Sequence, residues 1–336
     1  MIYKTLFFFL LILNALHSQK KIGDKEYPEI LWGKDQEFSN DFPLGSFVSE
    51  PNDFILCRGQ RFLGDPPNSS GSFEFQGEVV QNSGSWNNKA IQIVLEQGTN
   101  GWKEALLRLE AGVRYDPHFF PFRYNLGRVY TMLLDFDKAM IQFEYARNII
   151  PDYYRTYLHL GMLSERAKEP VYAESNYKLA YKKNPFLTES LIRLADLSLR
   201  AGSRNQAFLY LKKAESISEE SPDVQLGFAK LSLDRGNAFI AYKILKKTSL
   251  SSDDGKMKLY DKKFHFVFAE ASSKIGDYEK AEEEYTKLLS FPNDPFFATT
   301  SYKVIQRRRD IAKKFSEAKR TQSDDSESYR PQEGLE

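Results

Sequence analysis

Cysteine is almost absent from this sequence: among 336 residues there is one, Cys57. No disulfide can therefore form within the chain, and its stability must come from packing. An excess of one charge is missing too, because 47 Lys and Arg residues stand against 46 Asp and Glu residues, a formal net charge of +1. Such a balanced chain lacks the bulk attraction to nucleic acid that basic proteins have, so we expect no nucleic-acid partner.

Long hydrophobic runs are also missing. The apolar stretch from Leu6 to Leu13 is too short for a membrane span, which takes about 20 residues. Lys4 precedes it and a polar, small-residue region follows, an order typical of a secretory signal peptide. We expect residues 1–18 to be removed, leaving no integral membrane span, and the protein to be exported to the periplasm or cell envelope. The alternatives are secretion, or an anchor formed by an uncleaved N-terminal segment.

Signatures of catalysis and metal binding are absent as well. The sequence contains no His-Glu-x-x-His, no Cys-x-x-Cys and no phosphate-binding Gly-rich loop. Outside the signal peptide the histidines are His118, His159 and His265, all within a repeated helical pattern where packed or solvated roles are expected. Nothing nominates a base for Cys57. We therefore predict a protein that is not an enzyme and has no metal or cofactor.

What the sequence does have is a period of 34 residues. Alanine recurs at this spacing five times, and four residues after each alanine comes a large apolar residue. A sixth copy, with Ala281 and Tyr285, follows after a polar loop lengthened by six residues. The recurring alanines are Ala105, Ala139, Ala173, Ala207 and Ala241, and the apolar residues are Leu109, Phe143, Tyr177, Leu211 and Leu245.

The first half of each repeat carries a column of small residues inside an apolar helical pattern. Glycine within a helix costs roughly 1 kcal/mol relative to alanine, so something must offset that cost. We predict that two helices per repeat, A and B, approach closely where small residues of one face small residues of the other. The column consists of Gly127, Gly161, Ala195, Ala229 and Ala269.

These columns together resemble the tetratricopeptide repeat (TPR) family. The repeat at 120–153 matches every signature position except the early tryptophan, where Arg123 stands, whereas the first repeat is weakest because Ile93 occupies the glycine position. The resemblance implies an all-α, right-handed superhelix of about six helix–turn–helix units with a concave face. The array covers 86–293, with units near 86–119, 120–153, 154–187, 188–221, 222–255 and 262–293.

The two ends of the array need covers, because a stack of repeats leaves an open apolar face. A capping helix is predicted over 296–318, with the cluster Arg307 to Arg309 interpreted as its solvated face rather than as a site for an anionic partner. The polar residues 319–336 are predicted to be disordered. The stripe expected to face the array consists of Val304, Arg308, Ile311 and Phe315, beside Ile305 and Tyr302.

Residues 19–85 are rich in Gly, Pro, Ser, Asn and aromatic residues and lack a helical period. Partial alternation in "SFEFQGEVVQ", and the stretch "DFILCRG", predict strands. We interpret this part as a small irregular or β-containing segment that caps the first repeat. A flexible spacer is the alternative, which the number of aromatic residues disfavours.

The TPR resemblance implies a non-catalytic scaffold that binds another protein or a peptide segment. The alternative is a structural subunit of an envelope assembly, such as a secretion, outer-membrane biogenesis, appendage or periplasmic flagellar complex. An enzyme with appended repeats is a third, less favoured hypothesis. The oligomeric state is left open.

In the family the concave face is lined by pairs of helix-A residues one turn apart. No pair here combines the Lys and Asn with which relatives clamp acidic chaperone tails, so such an adaptor is not expected. The lining is apolar with single charges, which suits an amphipathic or hydrophobic segment, although some of these side chains could instead pack between repeats. The predicted groove residues are Tyr124, Arg128, Leu158, Met162, Ile192, Asp196, Leu226, Lys230, Phe266 and Glu270.

Overall fold

The structure is a computed structural model that describes residues 21–22, 25–26, 30–31, 54–57, 73–80, 83–219, 221–251, 262–290 and 300–328. They belong to two compact units, whose described residues end at 185 in the first and begin at 186 in the second. The predicted signal peptide, residues 1–18, lies outside the described residues. Within the described part of the chain, no helix is long and apolar enough to cross a membrane.

Short antiparallel strand pairs precede the helices, which confirms the predicted β-containing segment. Gln76 and Gly77 both have positive φ, 51° and 81°, and connect the last two strands in the two-residue turn that such hairpins favour. The pairs are β1 (Lys21–Ile22) with β2 (Lys25–Glu26), β3 (Ile30–Leu31) with β4 (Leu56–Cys57), and β5 (Phe73–Phe75) with β6 (Glu78–Val80).

Helices then follow one another in A and B pairs, as the repeat pattern predicts. Those of the N-terminal unit are α1 (Ser83–Gln97), α2 (Trp102–Tyr115), α3 (Phe120–Met132), α4 (Phe136–Ile149), α5 (Tyr154–Arg166) and α6 (Pro170–Lys183). Those of the C-terminal unit are α7 (Thr188–Arg200), α8 (Arg204–Ile217), α9 (Pro222–Asp234), α10 (Ala238–Ser251), α11 (Lys262–Ile275), α12 (Tyr278–Leu289) and α13 (Tyr302–Ser328). The all-α repeat fold is confirmed.

The 34-residue period reflects the way that helices A and B pack within a repeat. Phe143 and Tyr177 are fully buried, and each ring lies against the glycine of its own helix A. A Cβ atom added at Gly161 would lie 2.5 Å from a Tyr177 ring carbon, and one added at Gly127 would lie 3.0 Å from Phe143. The expectation that small residues face small residues is therefore wrong for these glycines, which accommodate an aromatic ring instead.

In the second to sixth repeats, helix A is followed by a residue with positive φ. Gly202, Gly236 and Gly276 have φ of 74°, 80° and 79°, values that glycine adopts without penalty. At the corresponding positions of the two preceding repeats stand Leu134 and Lys168, with φ of 64° and 60°. The same backbone turn is thus formed five times, twice by residues that are strained in it.

The last helix, α13, packs against α12 as a cap would, but through a different face from the predicted one. Ile305 and Ala312 are buried, at 0% and 2% exposure, in a cluster with Leu288 and Leu289. Ile305 and Tyr302, which were predicted beside the stripe, belong to this contact, whereas Val304, Ile311 and Phe315 of the stripe remain 41%, 54% and 52% exposed. The small side chains of Ala312 and Ser316 let α13 approach α12 closely, which the bulky stripe would prevent.

The bounds of α13 also differ from those expected. The helix begins at Tyr302 rather than 296, and it continues to Ser328 through residues that were expected to be disordered. The rest of the predicted disordered tail, 329–336, lies outside the described residues.

Candidate partner-binding face

The predicted groove residues of the N-terminal unit lie in its interior. Tyr124 and Arg128 of α3 are 0% exposed, and Leu158 and Met162 of α5 are 1% and 5% exposed. The Tyr124 hydroxyl lies 3.0 Å from Nε2 of His159 on α5. The open lining that the TPR resemblance implies does not describe these four side chains, which pack between helices instead.

In the C-terminal unit the predicted residues divide into buried and partly exposed ones. Ile192 of α7 and Leu226 of α9 are each 1% exposed and belong to the core. Asp196 of α7 and Lys230 of α9 reach the surface in part, and Lys230 Nζ lies 2.9 and 3.0 Å from the two Asp196 carboxylate oxygens. Residues at the same position of consecutive A helices therefore pair with each other.

The charge of Asp196 is stabilised by this pairing. Burial by itself raises the pKa of the Asp196 carboxyl, but attraction to Lys230 and to Lys263 of α11 outweighs burial and lowers the pKa. Lys263 thus lies close enough to the Asp196–Lys230 pair to act on it, although the sequence did not suggest it as a site residue. This part of the A-helix face is polar, partly exposed and carries more positive than negative charge.

The last predicted pair, Phe266 and Glu270 on α11, lies next to the capping helix. Glu270 accepts hydrogen bonds from the Tyr285 hydroxyl and from the Arg308 guanidinium, which also lies 5.7 Å from the centre of the Phe266 ring. Arg308 belongs to the arginine cluster interpreted as a solvated face. Arg308 is exposed, as expected of a solvated face, but its guanidinium also ties α13 to α11.

Two asparagines that the sequence analysis missed hold an extended segment on the A-helix face of the N-terminal unit. Asn125 of α3 accepts a hydrogen bond from the Ile55 backbone N–H at 2.8 Å and donates one to the Ile55 carbonyl at 2.8 Å. Asn87 of α1 donates to the same carbonyl at 2.8 Å and accepts from Asn125 at 2.7 Å. We call this pair the asparagine clamp.

The clamped segment is fully enclosed. Phe54 and Ile55 are 2% and 0% exposed, and the Arg128 guanidinium lies 5.7 Å from the centre of the Phe54 ring. The three hydrogen bonds between the clamp and the segment all involve the Ile55 backbone, so the asparagines recognise an extended chain and not a particular side chain. Selectivity is left to the apolar surroundings of Phe54 and Ile55.

One signal in the sequence could have indicated the clamp. Asn125 interrupts an apolar run, and a buried amide needs partners for its oxygen and its two N–H groups. The 34-residue period conceals the relation, because Asn87 and Asn125 are 38 residues apart and His159 occupies the next equivalent position. The clamp is confined to the first two repeats.

Comparison with known proteins agrees with the repeat pattern. The tetratricopeptide repeat profile matches residues 263–294, which contain α11 and α12. One similar solved structure is PilW, a type IV pilus biogenesis factor, with 19% identity and a TM-score of 0.51 over 65% of this chain and 97% of PilW. A tetratricopeptide repeat protein from Parabacteroides merdae has 18% identity and a TM-score of 0.51 over 70% of this chain and 93% of its own. Yeast Tom70 has 17% identity and a TM-score of 0.52 over 76% of this chain and 51% of its own. Residues 263–294 thus match the tetratricopeptide repeat (TPR) family, and the fold of the chain is similar to that of TPR structures. No curated protein matches the sequence.

Among the described residues, no group of three His, Cys, Asp or Glu side chains is placed to hold a metal ion. A buried charged cluster joins His265 of α11 to Glu284 of α12 at 2.6 Å, with Lys280 and Lys287 at 2.9 and 3.1 Å from Glu284. It fixes the two helices of the last repeat to each other.

Proposed function

We propose that this protein is a non-catalytic TPR scaffold that binds a protein or peptide segment on its A-helix face, in the periplasm or cell envelope. The asparagine clamp is the observation that supports this proposal most strongly. In this clamp, the A-helix face already holds one extended segment of the same chain. It binds the backbone of that segment and buries the segment's apolar side chains. Extended partners in general are held by backbone hydrogen bonds and selected by side-chain pockets.

The partner is expected on the A-helix face of the C-terminal unit. There the partly exposed members of the predicted groove remain available, namely Asp196, Lys230, Phe266 and Glu270. Lys263 adds a second cation beside Asp196. An amphipathic segment with an acidic group fits this surface, because its apolar side chains would meet Phe266 and its carboxylate the lysines.

The location rests on the order of charges and apolar residues in 1–18. The alternative role, a structural subunit of an envelope assembly, differs in that the partner would be a fixed neighbour rather than an exchanging segment. PilW, a type IV pilus biogenesis factor, has a fold compatible with either role.

Site-specific photo-crosslinking in the cells that produce the full chain tests the proposal. A photoreactive phenylalanine replaces Lys263 on the A-helix face or, as a matched control, Phe239 on helix B, where the side chain is 58% exposed. We expect a cross-linked polypeptide from position 263 and none from 239. Cross-linking from 239 alone, or from neither position, contradicts the proposal. In the same sample, an N-terminus near Gln19 supports export, and an intact Met1 contradicts a cleaved signal.

A further inference from the structure

The capping helix α13 has an apolar strip that the fold does not bury. Val304, Ile311 and Phe315 are 41%, 54% and 52% exposed, and Ile311 and Phe315 lie about 20° to either side of Val304 on the helix surface. Phe315 is held at one end by Tyr278 of α12, whose ring stacks on it with centres 4.9 Å apart. We call these three residues the outer strip.

Basic residues border the outer strip on both sides. Lys303, Arg307 and Lys314 lie about 60–100° to one side of Val304. Lys319 lies about 60° to the other side, and so does Arg308 at about 40°, although Arg308 is also ion-paired with Glu270 of α11. All five are exposed. Between residues 302 and 321 the helix carries eight basic and two acidic residues, a net charge of +6 in a chain whose total is +1.

The acidic residues of this stretch are on the far side of the helix. Asp310 and Glu317 lie about 120–140° from Val304, next to the cations Arg309 and Lys313, with which they form ion pairs. No acidic side chain of residues 302–321 therefore lies within the band formed by the outer strip and its basic borders.

We propose that the outer face of α13 docks in the plane of an anionic lipid bilayer. An apolar strip bordered by Lys and Arg is the pattern with which helices enter a membrane interface, since the apolar side chains reach the acyl boundary while the cations meet lipid phosphates. A nucleic acid would satisfy the cations but leave Val304, Ile311 and Phe315 in water. A second copy of this basic face would repel the first. The proposal is independent of partner binding on the A helices.

Binding of the full chain to vesicles tests this docking. We expect it to sediment with vesicles of phosphatidylglycerol and phosphatidylethanolamine, and much less with phosphatidylcholine alone. Ile311→Asp and Lys314→Glu should each weaken anionic-vesicle binding about tenfold or more without lowering the melting temperature, because both side chains are exposed. Val171→Asp on α6, at a residue 76% exposed, is the matched control and should bind like the unchanged chain.

Several results would overturn the proposal. Undiminished binding by both α13 variants would place the membrane contact elsewhere in the chain, for example in residues 1–18. Equal binding to neutral vesicles would remove the role of the basic borders. Self-association that Ile311→Asp abolishes, with no vesicle binding, would assign the outer strip to a second copy of the chain.

Discussion

Gly161 lies beneath the ring of Tyr177, whose hydroxyl donates a hydrogen bond to Glu165. Because the ring is anchored, it cannot move aside for a side chain on α5. We expect Gly161→Leu to lower the free energy of unfolding by about 1–3 kcal/mol, the usual effect of overpacking. Ser175→Leu, on the exposed side of α6, is the control and should change it by less than about 0.5 kcal/mol. Equal denaturation midpoints would contradict this packing.

Glu284 makes the stability of the last repeat depend on pH. Burial by itself raises the pKa of the Glu284 carboxyl, but His265 and Lys280 outweigh burial and lower it from 4.5 to about 2. A carboxyl with a depressed folded-state pKa stabilises the fold above its unfolded value, and this contribution is lost as the pH falls from about 4.5 towards 2. The ionised Glu284 carboxyl contributes roughly 3 kcal/mol to the free energy of unfolding.

Glu284→Gln removes that dependence. We expect the variant to be less stable at neutral pH and to lose less stability between about pH 4.5 and pH 2 than the unchanged chain. Denaturant titrations across this range measure both effects. Glu282→Gln, a partly exposed neighbour on the same helix, is the control. If Glu284→Gln loses as much stability as the unchanged chain between about pH 4.5 and pH 2, the neighbours do not stabilise the ionised form of the Glu284 carboxyl.

At the scale of elements, the ends of the A helices differ in strain. Lys168 and Gly202 occupy the same position of consecutive repeats with φ of 60° and 74°. A non-glycine residue in this region costs of order 1 kcal/mol. We expect Lys168→Gly to raise the free energy of unfolding by about 0.5–1 kcal/mol and Gly202→Lys to lower it by a similar amount. Changes of the same sign in the two variants would contradict the argument.

The two isoleucines of α13 distinguish its buried face from its outer strip. Ile305 is 0% exposed and Ile311 is 54% exposed. Ile305→Asp would bury a carboxylate among Leu288 and Leu289, so we expect a loss of about 3 kcal/mol or more. Ile311→Asp should change stability by less than about 0.5 kcal/mol. Thermal unfolding measures the stability of both variants. If Ile311→Asp loses more stability than Ile305→Asp, the face that contains Ile311 is the buried one, as the sequence predicted.

The sequence predicts the helix pairs well because each is a local pattern repeated at a fixed spacing. It does not predict which face of α13 is buried, because Val304 and Ile305 begin two apolar strips about 100° apart and periodicity cannot choose between them. The choice depends on Ala312 and Ser316, whose small size matters only once α12 is known to lie opposite. The burial of Tyr124 is likewise set by the neighbouring repeat, whose His159 lies 3.0 Å from the Tyr124 hydroxyl.

At the scale of the whole molecule, the sequence misses the contact between the segment before the repeats and the repeats themselves. Asn125 and Ile55 are 70 residues apart, and no period relates them. Helix periodicity reports which residues face inward but not which distant segment meets them. The asparagine clamp can therefore be recognised only in the folded structure. It is the main argument for the proposal that an A-helix face holds an extended segment.

Amide hydrogen exchange at Ile55 in the full chain tests that argument most directly. Asn125→Ala removes the acceptor for the Ile55 N–H and one donor to its carbonyl, a loss of about 1–3 kcal/mol for each buried group left unpaired. We expect the Ile55 amide to exchange about tenfold faster or more in this variant. Exchange should be unchanged in Asn176→Ala, whose amide bonds only within α6 among the described contacts. Equal protection of Ile55 in the unchanged chain and in Asn125→Ala would contradict backbone recognition by the A-helix face.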